Sequence, residues 1–191
     1  MVTGPALAMF ELESLARGVV VADALVKQAA VKIVVAEAVT PGKYLLIFTG
    51  GEAEVAESFQ AGLATGGATV IDSLHLPHIA EPVLAALLRG TVDAVGVEDA
   101  VGIVEVHTVA ATLRAADVSL KRAAVKLTHL QLARGIGGKG WFTLAGVQHD
   151  VEAALEGAAA SIGAGLLVTT ELIQRPHADV RRDVLSQGAK R

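Results

Sequence analysis

The sequence predicts an α+β fold made of two tandem copies of one unit, each a four-stranded antiparallel sheet with two helices on one face. Three observations predict it: the chain repeats itself, each repeat orders its apolar runs in the same way, and small side chains dominate the composition. Of 191 residues, 52% are hydrophobic, 3% aromatic and 19% charged. A chain this apolar and this weakly charged is not disordered. Its apolar excess is Ala and Val, which suits flat faces packed closely and reads either as an alanine-rich core, of the kind a high-GC genome gives, or as apolar surface buried between subunits.

The repeat decides the architecture. At an offset of 94, residues 6–33 fall on residues 100–127 with ten identities: Ala6, Glu11, Ala16, Ala22, Asp23, Lys27, Ala29, Ala30, Val31 and Lys32. The offset grows to 96 at Gly42-Lys43 and Gly138-Lys139, and to 99 at Pro77-His78 and Pro176-His177. The domains are placed at residues 4–91 and 98–182, joined by a short linker within Arg89 to Asp99 and followed by a tail at 183–191.

In the first copy, the apolar run Leu7 to Leu12 reads as a strand. Ser14 is a candidate N-cap, and Leu15, Val19, Ala22, Val26 and Ala29 recur at helical spacing, marking the expected buried face. The β-branched run Val31 to Val39 is a strand, Thr40-Pro41-Gly42 a turn, and Tyr44 to Phe48 a strand ended by Gly50-Gly51. Glu52 to Thr65 is a helix whose acidic first turn favours its dipole. Ala68 to Leu76 is the last strand, stopped by Pro77. The second copy repeats the order: strand Val101 to Val106, helix Thr108 to Ala124, strands Val125 to Ala133 and Trp141 to Ala145, helix Val147 to Ile162, strand Leu166 to Ile173. Strand, helix, strand, strand, helix, strand is the split βαβ order. The free sheet face is too apolar to be left wet, so Ile79 to Leu88 and Asp179 to Leu185 are expected to fold back or pack against neighbours.

Composition narrows the function. No cysteine is present, so there is no disulfide framework, thiolate metal site or Cys nucleophile. A net charge of −4 with mixed signs argues against nucleic acid as a partner. The longest charge-free stretches, 58–71 and 157–170, are 14 residues each, short of the roughly 20 a membrane span needs. The first ten residues lack the basic start and apolar block of a secretion signal, so a cytoplasmic protein is expected.

The repeated unit resembles the bacterial microcompartment shell domain. Ala6 to Leu12, the run Ala22-Asp23-Ala24-Leu25-Val26-Lys27-Gln28-Ala29-Ala30-Val31 and the closing Gln174-Arg175-Pro176-His177 carry the likeness. Two such domains in unpermuted order resemble the tandem, trimer-forming class, and Gly135-Ile136-Gly137-Gly138-Lys139 is most similar to its propanediol-utilisation type. The resemblance implies a structural shell tile and not an enzyme. It implies a homotrimeric pseudo-hexamer, single or stacked as two trimers, which joins shell hexamers and pentamers edge to edge and passes metabolites through a central pore.

By the same resemblance, the pore loops are Pro41, Gly42 and Lys43 in the first copy and Ile136, Gly137, Gly138, Lys139 and Gly140 in the second. Glycine lets backbone approach an axis closely. The tile edge would carry Lys27, Lys121 and Arg175; the first copy has Leu76 where the second has Arg175. In the propanediol type a cysteine follows the second Gly-Lys and holds an iron–sulfur cluster. Here that residue is Gly140, so no cofactor is expected.

Other readings are weaker. Residues 135–140 spell G-x-G-x-x-G, but a dinucleotide fingerprint must open a helix, and a strand is expected after it. His75-x-x-His78 is the only close histidine pair and spans a strand end and a proline, a poor zinc site. The recurring Asp23/Asp117 and Glu11/Glu105 read as contacts kept by duplication rather than as catalytic pairs. Trp141 beside the loop reads as core or subunit packing. The main alternative is a trimeric, small-molecule-sensing binding module of split βαβ type.

Overall fold

The computed structural model describes residues 5–97, 99–185 and 188–190. The chain divides into two compact units, Met1–Ile79 and Ala80–Arg191. The expected domain limits at residues 4 and 98, and residues 186, 187 and 191 of the expected tail, lie outside the described residues.

The first unit contains β1 (Ala6–Leu12), α1 (Leu15–Gln28), β2 (Lys32–Val39), β3 (Lys43–Gly50), α2 (Glu52–Gly66) and β4 (Val70–Leu76). The strands lie in the order β2-β3-β1-β4, all antiparallel. One turn of 3₁₀ helix, Gly67–Thr69, replaces the expected start of the last strand at Ala68, because Gly67 turns the chain with φ 52°. Strand pleat sorts β1 into two faces. Ala6, Ala8, Phe10 and Leu12 meet Leu46, Phe48, Val21, Leu25 and Val55 beneath the helices. Phe10 stacks on Phe59 at 5.0 Å, and Gly62 makes room for it, since a Cβ there would lie 2.5 Å from the ring. Leu7, Met9, Leu45, Ile47 and Leu74 point to the opposite face and are buried too.

Helix α1 corrects the sequence reading. Ser14 caps it as expected, its hydroxyl accepting from the Arg17 amide at 3.2 Å. The residues it buries, however, are Gly18, Val21 and Leu25. Of the stripe chosen from periodicity, Leu15 is 44% exposed, Val19 58% and Val26 46%, while Ala22 packs against the core. The core face was hidden because its first member has no side chain. Gly18 packs under Tyr44, where a Cβ would collide with the ring.

The second unit opens with α3 (Glu81–Arg89), then β5 (Ala100–Val106), α4 (Val109–Arg122), β6 (Lys126–Leu132), β7 (Gly140–Gly146), α5 (Gln148–Ser161), β8 (Leu167–Ile173), α6 (Ala178–Asp183) and β9 (Gly188–Lys190). The sheet order is β8-β5-β7-β6-β9. The fifth strand, β9, pairs parallel to β6 and was not expected. The two segments after the last strands are the short helices α3 and α6. α3 buries Val83, Leu84, Ala86 and Leu87 and packs on β6 and α4. The C-terminal segment turns Val180 and Leu185 onto Val101 and Ala145, covering part of the helix-free face of its own sheet.

Candidate functional site

Each candidate pore loop is the β-hairpin turn between the second and third strands of its copy. In the first, Gly42 takes φ 92°, and its amide donates to the Val39 carbonyl at 2.9 Å. Only glycine adopts such a φ without strain. In the second, Ala133 and glycines 135, 137 and 138 all have positive φ. The Ala133 carbonyl accepts from the amides of Ile136 and Gly138, both at 3.3 Å, while its own amide donates to the Lys139 carbonyl at 2.7 Å. The result is a tight loop that leads into strand β7 at Gly140, not into a helix, which removes the dinucleotide reading.

The structure joins two features that sequence reasoning kept apart. Lys43 Nζ lies 3.0 Å from Glu11, and Lys139 Nζ lies 2.9 Å from Glu105. Each loop lysine is therefore tethered to the central strand of its sheet, and the pair recurs in both copies. Glu11 is buried, so Lys43 offsets a charge that would otherwise be costly there. The signal was present in the sequence, because Glu and Gly-Lys recur together at nearly the same offset. At the loop tips Pro41 and Gly42 of the first copy, and Arg134, Gly135 and Gly137 of the second, are exposed.

The edge candidates sit at helix ends and on an exposed turn. Lys27 and Lys121 occupy the last turns of α1 and α4, where the dipole favours cations. Lys27 pairs with Asp23 at 2.6 Å and Lys121 with Asp117 at 2.7 Å, one helical turn back. Asp117 does more: its Oδ1 accepts from the Ala80 amide at 2.7 Å, at the start of α3. Arg175 is exposed and makes no side-chain hydrogen bond or ion pair among the described residues.

The BMC domain family matches residues 6–79 and 100–176, nearly the whole of both copies. The chain belongs to the bacterial microcompartment shell family. It is 38% identical, over 94% of its length and 97% of the relative's, to the bacterial microcompartment shell protein PduT of Citrobacter freundii. A crystal structure of a microcompartment protein from Desulfitobacterium hafniense superposes with TM-score 0.84 at 33% identity, covering 94% of this chain and 99% of that one. A fused permuted hexameric shell protein, MSM0275 of the RMM microcompartment, matches at TM-score 0.61 and 24% identity over 83% of this chain and 81% of its own, a likeness of fold alone. As a member, this chain is a structural component of microcompartment shells, from a family that oligomerises and assembles with other shell proteins. Among the described residues no helix is long and apolar enough to cross a membrane.

An iron–sulfur cluster does not fit this BMC chain. Position 140 carries no side chain, and the sequence holds no thiolate anywhere. Packing explains the glycine. Gly140 is buried against α4, where a Cβ would collide with the Thr112 side chain, whose hydroxyl is fixed by donating to the Thr108 carbonyl at 2.8 Å. Gly140→Ala should therefore cost about 1–3 kcal/mol of stability by overpacking, read as a lowered denaturant midpoint. Adding Thr112→Ala should recover only part of that loss, because the Cβ of residue 112 would still lie 2.8 Å from the new one. An unchanged midpoint in the single variant would show that Thr112 moves aside freely.

Proposed function

We propose that three copies of this chain close into a ring of six shell domains, a pseudo-hexameric tile of the microcompartment wall. The two glycine loops line its axis, and Lys27, Lys121 and Arg175 lie on its rim. Small polar metabolites cross at the axis past backbone amides, which are donors of modest selectivity.

One observation carries this reading. The two copies share a fold, yet the same helix face is open in one and closed in the other. Leu15, Val19 and Ala22 of α1 correspond to Val109, Leu113 and Ala116 of α4 at the offset of 94. Leu15 and Val19 are 44% and 58% exposed, while Val109, Leu113 and Ala116 are 0%. The partner aspartates follow suit, with the Asp23 side chain 58% exposed and that of Asp117 6%. The first copy thus carries an unsatisfied apolar helix face, whereas α4 of the second is packed in part by α3. Contiguous apolar surface of this kind marks an interface. A closed ring leaves no copy at an end, and closed rings are the usual form of homo-oligomers.

The tile function is tested by concentrating the protein and imaging it in negative stain. Extended sheets or tubes are expected. Discrete particles alone, at every concentration and salt, would remove the edge-to-edge role.

A further inference from the structure

The helix-free face of the second sheet carries a groove of about 390 Å³, lined by Ile103, Glu105, Ile136, Lys139, Trp141, Thr169 and Glu171. It is built by register. Glu105 of β5 stands opposite Trp141 of β7 and Thr169 of β8, and Ile103 opposite Glu171. The loop supplies Ile136 and Lys139 as one wall. An apolar lining with a few converging polar groups is the usual anatomy of a small-molecule site.

Charge selects the ligand. Two carboxylates and one ammonium line the groove, and Lys139 is already paired with Glu105 at 2.9 Å. That leaves Glu171, whose Oε1 accepts from the Thr169 hydroxyl at 3.2 Å and which has no cationic partner among the described residues. The groove therefore carries one uncompensated negative charge beside two isoleucines and an indole. Trp141 is held rigid by donating from Nε1 to Gln131 at 3.1 Å and by the His129 ring at 4.2 Å. A fixed indole attracts cations through its quadrupole. An anion would face Glu171 with Lys139 already spent.

We infer that this groove binds a small organic ammonium ion, its charge at Glu171 and its apolar body along Trp141, Ile103 and Ile136. The site lies within one unit and needs neither ring nor lattice.

Trp141 is the only tryptophan in the chain, so intrinsic fluorescence reports on this site directly. Wild-type protein is titrated with n-butylammonium chloride, sodium butyrate and 1-butanol at constant ionic strength. The ammonium should give a saturable change in the millimolar range, the weak affinity expected of a ligand with few atoms. Butyrate should give none, and butanol should bind at least tenfold more weakly. Glu171→Gln, at an exposed position, should weaken the ammonium response at least tenfold with an unchanged far-ultraviolet circular dichroism spectrum. A linear, unsaturated response to the ammonium, an equal response to butyrate, or a folded Glu171→Gln variant that responds like wild type would each overturn the assignment.

Discussion

Val19→Glu combined with Val26→Glu should convert the assembly into folded monomers. Both valines are exposed in the isolated chain, at 58% and 46%, and neither belongs to the core face of α1 formed by Gly18, Val21 and Leu25. The chain itself should lose no more than about 0.5 kcal/mol, the usual range for surface substitutions. The ring should lose far more. Each valine buried at an interface contributes about 1.5–3 kcal/mol, and a carboxylate in its place adds a desolvation penalty of several kcal/mol. Three equivalent contacts would carry that cost. Sedimentation velocity should show a single species at the mass of one chain, with an unchanged thermal midpoint. An intact oligomer would mean that this stripe faces solvent after all.

The second large effect concerns the lattice rather than the ring. Lys27→Ala with Lys121→Ala should abolish sheets and tubes while leaving the trimer in place. Within the chain each lysine pairs with an aspartate a turn away; the exposed Lys27–Asp23 pair is worth about 0.3–0.5 kcal/mol, while Lys121 faces the buried Asp117, whose Oδ1 is also held by the Ala80 amide. Stability should barely move for Lys27→Ala and fall more for Lys121→Ala, which leaves the buried Asp117 without this cation. Between tiles the same residues would act at all six edges, and repeated weak contacts multiply in an extended array. Arg175→Ala should thin the lattice without abolishing it, since the first copy has Leu76 at the matching place and only half of the edges would lose a cation. Unchanged sheets in the double lysine variant would move the tile edge elsewhere.

Much of the fold was legible because the chain states it twice. Two runs that share Ala-Asp, Lys and Ala-Ala-Val-Lys at a constant offset leave little room for a different assignment, and turn residues such as Pro41, Gly42 and Pro77 set the strand limits. The failures have physical causes. α1 is apolar on two sides, one toward the core and one outward, and periodicity picked the side with more side chains because Gly18 contributes none. α3 was read only as a packing segment, although Pro82 in its first turn and Gly90 at its end, in a left-handed conformation, are ordinary helix limits. β9 is three residues of Gly, Ala and Lys, with no strand signature at all. At the site, composition located the loops, but the tethers from Lys43 to Glu11 and from Lys139 to Glu105 cross 32 and 34 residues. Their joint recurrence in the two copies hints at a link, and the strand register, which sets each hairpin against the central strand, shows the contact. The groove beside Trp141 is likewise a product of register, joining side chains from three strands and a loop.

The mass of the native assembly tests the central claim most directly. Native mass spectrometry across a concentration series should find three times the 19.5 kDa chain, or six times if discs stack, with no smaller species dominant at high concentration. A stable, monodisperse monomer at the highest concentration would contradict the ring.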